Sequence, residues 1–235
     1  MKLTSMLAAV AVASAFAPAA FADKKSEAYV QTNANSVLSV LNDRSLTAEQ
    51  REKKFGEYMN KFAHMPSIAR RVIGTNSRSL SEADFNKYYK IFETYALEVY
   101  KVHFDQFRGE GLRVTGSKDD GPQRSTVESV IKNSQTGKDT KVYWDVLLSQ
   151  DGQNYRVRDV GIELGGSVLW LAQEQQAQFV NYLDRNNGDI NKLIGRINVL
   201  LADMEARKKD GRGSAPINLE SCFALSDVCG LSSEP

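Results

Sequence analysis

The chain has 235 residues, 42% of them hydrophobic and 25% charged, with 30 Lys and Arg against 29 Asp and Glu. That is enough chain to bury a sizeable core, and it is too apolar and too balanced in charge for intrinsic disorder. The balance speaks against a nucleic-acid partner, which needs a cationic excess to displace counterions. Two cysteines are too few for a disulfide scaffold or a structural zinc site. No apolar run reaches the roughly 20 residues of a membrane span.

The first segment reads as an address. Lys2 supplies a positive start, Leu7 to Phe16 are almost wholly apolar, and Pro18 interrupts the run before Ala20-Phe21-Ala22. Small residues at those two alanine positions are what a signal peptidase reads, and Asp23-Lys24-Lys25 opens a polar chain. Residues 1–22 are therefore expected to be a cleaved leader, which implies export. In a bacterium that means the periplasm. Its removal takes one lysine and leaves the mature chain neutral.

The mature chain reads as helices, then strands, then helices. Ser26 to Asp43 sets Val30, Ala34, Val37, Leu38 and Leu41 on one helical face. Thr47-Ala48-Glu49-Gln50 has capping-box spacing and opens a second helix with Phe55, Met59 and Phe62 on its buried side. Pro66 starts a short third helix that Gly74 stops. Ser81 caps the longest helix, with Leu80 and Phe85 at staple positions and apolar spacing held for more than five turns. From Gly111 the period switches to two. Strands are expected over Leu112–Gly116, Ser125–Lys132, Lys141–Ser149 and Tyr155–Leu164, with turns at Asp119-Asp120-Gly121-Pro122 and Asp151-Gly152. Two further helices, from Val168 and from Asp189, flank Asn186-Asn187-Gly188. Strands this closely spaced imply an antiparallel meander of about four strands wrapped by N- and C-terminal helices, an α+β domain over 23–209. Residues 210–235 read as a flexible, Cys-containing tail.

Chemistry is sparse. His64 and His103 lack a second metal ligand at a useful spacing, and neither a G-x-S-x-G elbow nor a phosphate loop occurs. Asp119-Asp120 and Asp159/Glu163 read as solvated or ladder-supporting carboxylates rather than acid/base pairs. No catalytic residue, metal or cofactor is nominated. Cys222 and Cys229, close together in an exported chain, read as a local disulfide.

The positive signal is aromatic. Eight of the 21 aromatic residues fall between positions 85 and 107: Phe85, Tyr88, Tyr89, Phe92, Tyr95, Tyr100, Phe104 and Phe107. A helix sandwiched between sheet and neighbouring helices would use such a surface as core. A helix lining an apolar ligand cavity would use it too, with tyrosine hydroxyls as polar tips.

Five stretches together are familiar. Ile68-Ala69-Arg70-Arg71-Val72-Ile73-Gly74 precedes the capped helix from Phe85 to Tyr100. Tyr155-Arg156-Val157-Arg158-Asp159-Val160-Gly161-Ile162-Glu163-Leu164-Gly165-Gly166-Ser167 follows, and then Gln173 to Phe179 and Asn187-Gly188-Asp189-Ile190-Asn191-Lys192-Leu193-Ile194. In this order, from about Val30 to Leu201, the chain resembles the MlaC (toluene-tolerance) family of periplasmic phospholipid-binding proteins. Leu164-Gly165-Gly166 departs from that family's usual Glu-Gly-Val/Ile run, and the Cys-bearing tail lies outside the resemblance.

The resemblance implies a cone-like, nuclear-transport-factor-like fold with an apolar interior between sheet and helices. It implies phospholipid as cargo, carried between an outer-membrane lipoprotein–porin complex and the lipid-binding subunit of an inner-membrane ABC transporter, in support of outer-membrane lipid asymmetry. On that reading Phe92, Tyr95 and Val99 face Val127, Val142, Trp144, Val146, Tyr155 and Val157 around the acyl chains. A bulge near Asp159 would invert the strand alternation beyond it. A periplasmic chaperone or adaptor with apolar grooves, and an enzyme on the same fold, are the alternative readings.

Overall fold

The computed structural model describes residues 24–105, 111–132 and 137–209. The segment 1–22 expected to be a leader, the tail with Cys222 and Cys229, Phe107, and the side chains of Tyr100, His103 and Phe104 lie outside the described residues.

Local signals set the first four helices. Helix α1 (Lys24–Asn42) buries Val30, Ala34, Val37, Leu38 and Leu41, the face expected from their spacing. Helix α2 (Ala48–Phe62) opens on a complete capping box, in which the Thr47 hydroxyl accepts from the Gln50 amide and the Gln50 side chain accepts from the Thr47 amide. Helix α3 (Met65–Val72) has His64 as its N-cap, the ring Nδ1 accepting from the Ser67 amide at 3.2 Å. That assigns His64 a structural task. A 3₁₀ turn (Gly74–Arg78) leads to helix α4 (Glu82–Asp105), capped by Ser81, whose hydroxyl accepts from the Asp84 amide. Helices α5 (Leu171–Arg185) and α6 (Ile190–Lys209) close the domain.

The sheet is a five-stranded antiparallel meander in the order β1-β2-β3-β4-β5, so the domain is α+β with one strand more than expected. Its strands are β1 (Leu112–Gly121), β2 (Arg124–Lys132), β3 (Asp139–Leu148), β4 (Tyr155–Leu164) and β5 (Ser167–Trp170). Two readings are corrected. Asp119, Asp120 and Gly121 belong to β1, not to the turn, because the Ser125 and Thr126 hydroxyls donate to their two carboxylates across the hairpin and extend the ladder. The turn itself is Pro122-Gln123. Residues 168–170, read as the start of a helix, belong to β5. Gly165 (φ 58°) and Gly166 (φ 85°) make the left-handed two-residue turn that folds Ser167 back onto Leu164. The uninterrupted apolar run from Val168 to Ala172 carries no alternation that would have announced it. Gly161 is required opposite β5, since a Cβ there would stand 2.7 Å from Val168 Cγ1.

The bulge that would invert β4 is present. Asp145 pairs with Asp159 but Val146 pairs with Val157, which leaves Arg158 as the extra residue. Val157 and Val160, three apart, therefore lie opposite Val146 and Trp144 and share their face. Helix α1 covers the β1 edge with two side-chain amides: Gln31 and Asn35 exchange hydrogen bonds with the Leu112 and Val114 backbone at 2.6–3.2 Å. An edge strand otherwise offers unpaired backbone groups to other chains.

Candidate functional site

The register brings the inward residues of the sheet into rows. Val127 stands opposite Trp144, Trp144 opposite Val160, Val142 opposite Ile162, Val146 opposite Val157, and Leu148 opposite Tyr155. All nine residues expected to surround an apolar ligand belong to one continuous cluster: Phe92, Tyr95, Val99, Val127, Val142, Trp144, Val146 and Val157 are buried, and Tyr155 is half-buried against them. The α4 members lean on other helices, with the Phe92 and Tyr95 rings 6.3 and 6.2 Å from Phe179 of α5. Deep in the sheet, the Trp144 indole N–H donates to Ser129 Oγ at 2.8 Å, and Ser129 donates onward to the Val142 carbonyl. The only polar tip of the indole is thus satisfied inside an apolar wall.

A row of rings joins that interior to the surface. Trp144 lies 5.3 Å from Phe62 of α2, Phe62 lies 5.6 Å from Tyr29 of α1, and Tyr29 lies 5.8 Å from Tyr155 of β4. The Tyr29 hydroxyl is held by the Phe62 carbonyl at 2.8 Å, and burial raises its pKa above the ordinary phenol value. At the outer end of this row opens a cleft of about 540 Å³. Val146, Leu148, Tyr155 and Pro122 form its apolar surface, while Lys24, Lys25, Arg124 and Asp119 supply its charge. Of the nine expected residues, Val146 and Tyr155 reach this cleft. The sequence reading missed Lys24, Lys25, Arg124 and Leu148. One signal was available: two lysines in the first turn of a helix oppose its dipole and do not serve helix stability.

Beside the cleft sits a buried ionic cluster. Asp145, 1% exposed, accepts from Arg124 Nε at 2.9 Å and from Arg158 Nε and Nη2 at 2.9 and 2.6 Å, with Arg71 Nη1 of α3 at 3.8 Å. Its cross-strand partner Asp159 accepts from the Val160 and Ala172 amides at 2.9 and 2.7 Å, which ties the start of α5 to β4. Burial outweighs those hydrogen bonds and the nearby Arg71, and it raises the Asp159 pKa. These carboxylates anchor helices to strands. Glu163 likewise accepts from Tyr143 and pairs with Lys141. Among the described residues, no group of three His, Cys, Asp or Glu side chains could hold a metal ion, and no helix is long and apolar enough to cross a membrane.

Residues 31–199 match a family model described as MlaC protein. Six solved chains match the fold. One is a phospholipid-binding protein from Ralstonia solanacearum, solved in complex with a phospholipid. It is 17% identical, with a TM-score of 0.61, and the alignment covers 73% of this chain and 94% of that one. No curated protein matches the sequence.

Proposed function

The chain belongs to the MlaC family, and on that premise we propose that it is a phospholipid carrier. The family match over residues 31–199 carries this reading. The solved relative of the same fold, a phospholipid-binding protein with its lipid, supports it, as does the continuous apolar cluster between sheet and helices. The physical demand on such a carrier is large. Two acyl chains of about 30 methylenes would cost on the order of 24 kcal/mol to expose to water, at roughly 0.8 kcal/mol each. A protein that shelters the chains and leaves the headgroup outside meets that demand by burial alone. It performs no bond chemistry, needs no resident cofactor, and takes phospholipid as cargo.

The leader-like pattern of residues 1–22 supports a periplasmic carrier that shuttles between the two membranes of a bacterial envelope. Its partners in this reading are the lipid-binding subunit of an inner-membrane ABC transporter and an outer-membrane lipoprotein–porin complex, and the traffic maintains outer-membrane lipid asymmetry. Organic extraction of the exported protein followed by lipid mass spectrometry tests the core of it. Stoichiometric phospholipid is expected. Protein that carries none, and takes none up from phospholipid vesicles, would overturn the proposal.

A further inference from the structure

The two carboxyls that face each other across β3 and β4 are not bonded alike. Asp145 is saturated: the guanidiniums of Arg124 and Arg158 reach its oxygens at 2.6–3.3 Å, the pattern of an ionised carboxylate. Asp159, its cross-strand partner, accepts the Val160 and Ala172 amides on Oδ1 alone. Its Oδ2 is buried and has no hydrogen-bond partner. Arg71 Nη1 of α3 stands 3.6 Å from that oxygen and 3.8 Å from Asp145 Oδ2; it is buried too and bonds neither. An ionised Oδ2 draws a guanidinium N–H in to about 2.8 Å. Two opposite groups left apart and unsatisfied in a buried place fit a neutral carboxyl instead. Burial, reinforced by the Asp145 charge, pushes the Asp159 pKa in that same direction.

The remaining neighbours leave Arg71 as the one mobile counter-charge. Arg124 of β2 and Arg158 of β4 are engaged by Asp145. Helix α5 offers Asp159 the Ala172 amide, while its first-turn Glu174 accepts from Gln178 at 2.8 Å, and β5 carries no ionisable side chain. The other end of α3 is attached without charge: Ala63 bridges Val157, and the His64 amide donates to the Val157 carbonyl at 3.3 Å. We propose that Asp159 is a proton-operated catch for α3: neutral, it lets Arg71 stand off, and ionised, it draws the guanidinium in and fastens the last turn of α3 to β4. The proton leaves to solvent, and no covalent bond to a heavy atom changes. Helix α3 buries Met65, Ile68, Ala69 and Val72 in the apolar cluster. Acid therefore loosens, and neutral pH tightens, one wall of the interior, whatever that interior carries.

The test is amide hydrogen exchange on the exported protein at acid and neutral pH, corrected for the intrinsic pH dependence of exchange. It compares the wild type with Asp159→Asn, Arg71→Gln and His64→Asn. His64 is the other titratable group on α3, since its Nδ1 accepts the Ser67 amide only while unprotonated, and asparagine keeps a cap acceptor there. Protection at residues 69–72, taken relative to α4, should rise by about fivefold from acid to neutral pH in the wild type and in His64→Asn, the size of one net hydrogen bond. It should stay flat in Asp159→Asn and Arg71→Gln. Carbon NMR of the wild type should show the Asp159 carboxyl titrating above the exposed carboxylates. A flat wild type, or a rise that persists in Asp159→Asn or Arg71→Gln, would overturn the catch. A rise lost in His64→Asn would assign the response to the imidazole and overturn it equally. If Arg71→Gln does not fold, the isosteric Asp159→Asn and the wild-type titration decide alone: an Asp159 carboxyl that titrates with the exposed ones refutes the proposal.

Discussion

Replacing Asp145 by asparagine removes one charge and almost no volume, and it should destabilise the domain more than any exposed ion pair could. Asp145 is 1% exposed, and its two oxygens accept from the Arg124 and Arg158 guanidiniums, with Arg71 a further 3.8 Å neighbour. An amide at this position offers one acceptor instead of two, turns an NH₂ toward cationic donors, and leaves three like charges converging. Breaking a fully buried pair by removing one partner costs about 3–5 kcal/mol. Here the arginines are part-exposed, at 43%, 28% and 23%, and can turn toward water. That relief brings the expected loss to about 2–4 kcal/mol. For a domain of this length the melting temperature falls by roughly 2–4 °C per kcal/mol, so a drop of about 5–15 °C is expected. Thermal melts followed by circular dichroism at neutral pH would measure it, with Arg124→Gln as the control that loses only the most exposed partner and shifts less. A drop below about 2 °C for Asp145→Asn would show that the cluster is solvated and does not hold β2, β3, β4 and α3 together.

Val146 lies on the cleft's apolar side and is 1% exposed, so Val146→Trp separates a pocket wall from ordinary core. As a pocket wall it should displace lipid with little loss of stability. Retained lipid with a collapse in melting temperature, the overpacking result of about 1–3 kcal/mol or more, would refute that role. Asp159→Asn tests the anchor at the start of α5 through pH. Because the folded pKa of Asp159 is raised, the folded state binds its proton more tightly than the unfolded chain does. Its contribution to stability is therefore full below the ordinary carboxylate range and is lost as pH rises through the raised value. Denaturant melts should show the wild type gaining on Asp159→Asn as pH falls from neutrality, and a difference that shrinks instead would contradict the assignment.

What the sequence determined by itself is what a single turn of chain can encode. The Thr47 capping box, the Ser81 cap, the buried face of α1 and the Asp151-Gly152 hairpin are all decided by residues within a few positions of one another, and each is found where its spacing placed it. The family resemblance is legible for the same reason, as an ordered set of short local strings. Tertiary structure decided the rest. The strand β5 has no period of its own and exists because a two-glycine turn folds it against Gly161. The bulge at Arg158 is a mismatch between β3 and β4, so neither strand alone encodes it. Arg71, Arg124, Asp145 and Arg158 come from four elements, and only the assembled sheet and α3 bring their charges together. The cleft depends on the same kind of closure. Its lysines open α1, its apolar side belongs to β3 and β4, and more than 100 residues of chain separate them. Caps and periodicity act over a few ångströms along the backbone, whereas register and ion clusters form only once distant segments have paid the entropy of meeting.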